Sequence, residues 1–182
     1  MGTIDKFLKP FGQGGAASQP AALLKALRPK QWIRNGLVFF PFVFSVQVAW
    51  SLDDLDPVPG LILRLLVLFA AFCALSSAVY LLNDLMDLEA DRQHPVKRLR
   101  PIASRKVGVP MALTALVGLA VAGLAAMALV ERELGAIGLL YLAINVAYSV
   151  GVKQIVLLDV LAVASGYVIR VVAGAVAIGV TP

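Results

Sequence analysis

Charge is scarce in this sequence, and so is anything that ligates a soft metal. Only 15% of the 182 residues are charged while 60% are hydrophobic, and mean hydropathy is +0.87. Those values exclude an ordinary soluble globule of this size. The one cysteine, Cys73, lies inside an apolar run, so neither a disulfide within the chain nor a cysteine metal cluster is available. The one histidine, His94, precedes Pro95 and reads as a helix cap, with ligation of a metal or a phosphate as the lesser alternative. Residues 1–22 contain no apolar stretch followed by a cleavage site, which excludes a secretory signal. Residues 1–20 read as a disordered tail ahead of one domain over 21–182. No internal repeat is visible. The net charge of +5 is distributed as in a membrane protein, and no nucleic-acid partner is expected.

What the chain has instead is long apolar segments, near residues 35–50, 60–82, 107–130, 134–151 and 155–180. Each suffices to cross ~30 Å of hydrocarbon, the first and fourth only just. The expected fold class is an all-α integral membrane protein, a bundle of transmembrane helices. Of 16 Lys and Arg residues, 13 precede the first segment or fall in the second and fourth connections. The first connection carries Asp53, Asp54 and Asp56 and no base. Basic residues mark the cytoplasmic face. The N-terminus and the second connection are therefore expected in the cytoplasm, in a multi-pass protein of the inner (plasma) membrane. Gly166, Ala173, Gly174 and Ala177 favour close helix packing in the last segment and leave room for a homo-oligomer. Asp159 and Arg170 are costly charges in that same segment and need partners.

The charge that exists concentrates in one place. Asp84, Asp87, Glu89 and Asp91 fall within eight positions, and six basic residues follow between Arg92 and Lys106. If the second helix continues past Leu82, Asn83, Asp87, Asp91 and Asp84 stand at about 0°, 40°, 80° and 100° around it, while Glu89 points elsewhere. Carboxylate and amide oxygens on one face suit a hard cation such as Mg²⁺. Lys97, Arg98 and Arg100 next to them suit phosphate. Together they indicate a metal-assisted diphosphate site, with Asn83, Asp84, Asp87 and Asp91 as the candidate metal ligands and the three aspartates as the candidate catalytic residues.

The pattern Asn83-Asp84-x-x-Asp87-x-x-x-Asp91 resembles the first Asp-rich motif of the UbiA superfamily of intramembrane prenyltransferases. The run from His94 to Ala103, the segment from Leu27 to Asn35, and Tyr148 to Lys153 are similar to its polyprenyl-phosphate branch. The resemblance covers residues 23 to 182. It implies a UbiA-like helix bundle of about nine spans, five of them in these 182 residues, and a second Asp-rich motif that they do not contain. It also implies a Mg²⁺-dependent transfer of 5-phosphoribosyl from phosphoribosyl diphosphate to a polyprenyl (decaprenyl) phosphate, giving a precursor of cell-wall arabinan. Lys97, Arg98, Arg100, Tyr148, Lys153, Arg28, Gln31 and Asn35 are the substrate-binding residues implied, and Trp32 reads as an interface anchor. The Asp motif alone is equally compatible with prenylation of an aromatic acceptor, and a chain without the second motif with an inactive membrane module.

Overall fold

The structure is a computed structural model describing residues 19–150 and 156–180. Lys153, the N-terminal tail up to residue 18 and the last two residues lie outside the described residues, as does the side chain of Asp159. Regular structure among the described residues is helical: α1 (Gln19–Ala26), a 3₁₀ helix (Pro29–Phe39), α2 (Phe40–Phe44), α3 (Val58–Met86), α4 (Leu88–Gln93), a 3₁₀ turn (Lys97–Leu99), α5 (Val109–Val130), α6 (Arg132–Val150) and α7 (Val156–Ala177). Val58–Met86, Val109–Val130 and Val160–Ala177 are long and apolar enough to cross a membrane. The chain is a multi-pass membrane protein.

α3 is the centre of the bundle. Leu65, Leu68, Phe72, Leu75 and Val79 recur at three- and four-residue spacing and are at most 6% exposed. That stripe is the seam α3 offers to its neighbours. α5 and α6 pack on it, and Gly123 lets α5 come in until Leu75 occupies the space a Cβ would need. Outside the seam, Leu113, Val117, Val121 and Leu129 of α5 are exposed, as hydrocarbon-facing residues are. Arg64, early in α3, donates to Glu131 at 2.8 Å, closing the end of the bundle opposite the Asp-rich stretch.

The first apolar segment differs from expectation. Helix begins at Pro29, six residues earlier than position 35, and ends at Phe44. Pro29 supplies the fixed φ that starts a helix. Beyond Phe44 the chain turns, with Gln47 at φ 69° and the Trp50 indole donating to the Phe42 carbonyl at 2.9 Å. Eleven of the sixteen residues are 3₁₀, which rises about 2 Å per residue, so the short segment still reaches about 30 Å. Trp32 faces inward and donates to Ser77 of α3 at 3.0 Å.

The second connection is folded. Leu88, Ile102, Ala103, Val107 and Ala112 form a small core with Ala26 and Leu81, so α1 and the loop after α4 are packed onto the end of α3. Lys97 and Arg98 stay exposed while Pro101, Ile102 and Ala103 go inside. This pins Arg100 against the helix ends.

Where α7 crosses the 3₁₀ helix, a Cβ on Gly174 would overlap the Val38 carbonyl. Gly174→Val is expected to destabilise the protein by about 1–3 kcal/mol, the range for overpacking. Gly118 has nothing within 4 Å, so Gly118→Ala should be neutral or stabilising by up to about 1 kcal/mol. Thermal unfolding in detergent micelles measures both.

Candidate functional site

The Asp-rich stretch does not lie on one uninterrupted helix. α3 ends at Met86, Asp87 occupies the junction at φ −86°, ψ 7°, and α4 resumes at Leu88. The i→i+4 bonds persist across the break, from Asp87 N to the Asn83 carbonyl (2.9 Å) and from Asp91 N to the Asp87 carbonyl (2.8 Å). The angular fan expected from helical spacing therefore survives, but its two edges face different partners. Asn83 turns to α6, its Oδ1 2.5 Å from the Ser149 hydroxyl. Asp84 and Asp91, at the other edge, turn to arginines.

Asp84 is 2% exposed and its Oδ1 accepts from Arg28 at 2.6 Å and Arg100 at 3.2 Å. The same Arg100 nitrogen donates to Asp91 at 2.7 Å. Arg28 also lies over the Tyr80 ring at 4.8 Å. These contacts join four pieces of chain: the entry to the 3₁₀ helix, the end of α3, α4 and the loop behind it. Arg28 takes φ 55°, unusual for a residue with a Cβ, which costs about 1–2 kcal/mol and is held by these contacts. Glu89 stands apart, exposed and paired with Arg92 at 2.7 Å. His94 accepts from the Val96 and Lys97 amides at 3.2 Å each, so it caps the 3₁₀ turn that follows it.

Beside this knot a cavity of about 160 Å³ opens between the 3₁₀ helix, α3, α6 and α7. Asn83 lines it. So do Gln31, Asn35 and Tyr148, which sequence reasoning had selected, and Arg34, Asn145 and Arg170, which it had not. All four tyrosines of the chain, Tyr80, Tyr141, Tyr148 and Tyr167, are in its wall. No Asp or Glu lines it among the described residues, while two arginines do. Its charged lining among the described residues is positive, which suits an anion.

Arg34 was not among the residues the resemblance implied. In a 3₁₀ helix residues i and i+3 eclipse, which stacks Gln31 and Arg34 on the cavity side. Arg170 was legible as a costly charge without an assigned site. It donates to Asn35 Oδ1 at 2.8 Å, to the Gly166 carbonyl at 2.6 Å and to the Tyr141 hydroxyl at 3.1 Å. Asn35 in turn donates to Ser76 and Cys73 at 3.3 Å each, so the inner wall of the chamber is one bonded network.

For a cation, Asn83, Asp87 and Asp91 offer oxygen at successive turns, and that chemistry fits a hard ion. Asp84, with two guanidiniums on Oδ1, fits a ligand role less well than Asp91, which has one on Oδ2. Among the described residues no three His, Cys, Asp or Glu side chains converge as a ready ligand set.

The model of the UbiA prenyltransferase family matches residues 36–182. The decaprenyl-phosphate phosphoribosyltransferase of Mycolicibacterium smegmatis is 40% identical over 157 residues, which is 86% of this chain and 48% of that protein. The protein of the same name from Corynebacterium glutamicum is 38% identical over 161 residues, 87% of this chain and 46% of that one. The nodulation protein NoeC of Azorhizobium caulinodans is 40% identical over 154 residues, 84% and 47% respectively. The chain thus spans about half the length of the curated relatives it matches. With the match covering most of its length, the chain belongs to the UbiA prenyltransferase family.

Proposed function

We propose that this chain serves the transfer of 5-phosphoribosyl from phosphoribosyl diphosphate to a polyprenyl (decaprenyl) phosphate, at the cytoplasmic side of the inner (plasma) membrane, toward a precursor of cell-wall arabinan. The observation that carries the reading is the chamber itself: arginine-bearing, tyrosine-walled, free of acids among the described residues, and rimmed by the first residue of the Asp-rich motif. Donor and acceptor of this reaction are both phosphates. The names of the relatives from Mycolicibacterium and Corynebacterium, decaprenyl-phosphate phosphoribosyltransferases, support that acceptor and the transferred group.

The roles follow from position. Arg34 is exposed at the chamber mouth and meets the soluble donor first. Lys97 and Arg98, also exposed, add positive potential on that side, which raises the local concentration of a polyanion. Tyr148 and Asn145 hydrogen-bond phosphate or ribose hydroxyls within the chamber. Asn83, Asp87 and Asp91 would hold Mg²⁺, which supplies neutralisation of the leaving diphosphate. Arg100 keeps Asp91 in place and has further N–H groups to offer a phosphate oxygen. Asp84 acts through the two arginines it fixes. Lys153 completes the set as a phosphate-binding residue beyond Tyr148.

Membranes carrying the protein, given labelled phosphoribosyl diphosphate and polyprenyl phosphate, are expected to place label in the lipid fraction. EDTA and Asp87→Asn should each lower that incorporation at least 100-fold. Label entering only an aromatic acceptor from a labelled isoprenyl diphosphate would contradict the reading. Arg34→Gln should raise KM for phosphoribosyl diphosphate about tenfold with little change in kcat, the loss of about one charged hydrogen bond, and should flatten the salt dependence of kcat/KM.

A further inference from the structure

We propose that Arg170 seats the phosphate of the lipid acceptor, at the membrane end of the chamber, with the donor diphosphate at the opposite, Asn83 end. The assignment rests on the transfer reaction proposed above and adds to it a location for the nucleophile.

Arg170 is 8% exposed and reaches the chamber from α7. Its hydrogen-bond partners are an amide oxygen, a peptide carbonyl and a phenol, and its guanidinium lies over the rings of Tyr141 and Phe72 at 5.1 and 5.7 Å. All are neutral. A guanidinium carries five N–H groups, so two remain beyond those three bonds. Arg28 and Arg100, by contrast, end on the buried carboxylates Asp84 and Asp91. Here, beside an open chamber, the described surroundings hold no carboxylate. A cation within a membrane is costly without an opposite charge, and the chamber is where that charge can enter. Asn35, braced by Ser76 and Cys73, fixes the guanidinium before anything binds.

Chemistry tells the two ends of the chamber apart. Asn83 and Ser76 both line it from α3 and are seven residues, about 10 Å, apart along that helix. Asn83 adjoins the charged connection, where a water-borne polyanion arrives. Ser76 marks the Arg170 end, deep in the apolar bundle, where a molecule whose tail stays in hydrocarbon approaches. In the transfer, an oxygen of the acceptor phosphate attacks C1 of the phosphoribosyl group. The C1–O bond to diphosphate breaks, and diphosphate departs with the bonding electron pair. Nucleophile and leaving group occupy opposite faces of C1, so the two anions need cations on opposite sides. Arg170 supplies one, and the Asp-motif end the other.

The test uses the protein in nanodiscs, titrated separately with a short-chain polyprenyl monophosphate and with inorganic diphosphate plus Mg²⁺. Arg170→Gln is expected to weaken the lipid phosphate at least tenfold and diphosphate less than twofold, with Arg170→Lys between wild type and Arg170→Gln. A second measurement needs no variant: phenylglyoxal modification mapped by mass spectrometry should show Arg170 protected by the polyprenyl phosphate, and not by diphosphate or by the matching polyprenol. Equal weakening of both probes, or protection of Arg170 by diphosphate alone, overturns the seat. Wild-type binding of the lipid phosphate that Arg170→Gln leaves intact overturns it too, and leaves the transfer reading standing. Wild-type binding of diphosphate with no binding of the lipid phosphate overturns the acceptor class, and with it the transfer reading itself.

Discussion

Asp84 is buried at 2% exposure with two guanidiniums on one of its oxygens, and the geometry of the site depends on that contact. Three parts of the chain meet there, beside the small core they share. Arg28 comes from the turn before the 3₁₀ helix, Arg100 from the loop after α4, and Asp84 from the last turn of α3. A carboxylate this deep is tolerated because both partners are in hydrogen-bond contact, and removing one member leaves the others uncompensated. Through Arg28 the contact sets where the 3₁₀ helix starts, and so where Gln31, Arg34 and Asn35 face the chamber. Through Arg100 it draws Asp91 to the same point and closes the loop that follows.

This divides the Asp-rich motif by task. Its members fan across about 100° of helix surface, and the fan is wide enough to serve two purposes. Asn83 looks into the chamber. Asp84 and Asp91 look at arginine. Asp87, at the junction of α3 and α4, lies between them. The acids are therefore held outside the chamber wall while arginines line it, and the separation of sign is what makes the chamber receptive to phosphate.

Much of this was legible in the residues. The apolar runs located α3, α5, α6 and α7 to within a few residues, because a span near 20 apolar residues leaves little freedom. Asn83 from the motif spacing, and Gln31, Asn35 and Tyr148 from the resemblance, line one chamber. Three features were not legible. The 3₁₀ conformation of Pro29–Phe39 goes with its packing against α3 and α7, and it starts the first helix earlier and puts Arg34 in the chamber lining. The break at Asp87 has no glycine or proline to announce it. The partners of Arg28 and Arg100 depend on the fold of the second connection, whose inward Pro101, Ile102 and Ala103 sit in a stretch that reads as solvated.

The division of the motif is the central claim, and comparison of Asp84→Asn with Asp87→Asn tests it most directly. Chemical unfolding and Mg²⁺-dependent diphosphate binding would be measured on both variants in the same detergent. Asp84→Asn should lower stability by roughly 2–4 kcal/mol, the cost of breaking a buried pair reduced for the partial exposure of the two arginines. Asp87→Asn should abolish the Mg²⁺ dependence of binding. A stable Asp84→Asn that loses Mg²⁺-dependent binding as fully as Asp87→Asn would contradict the account.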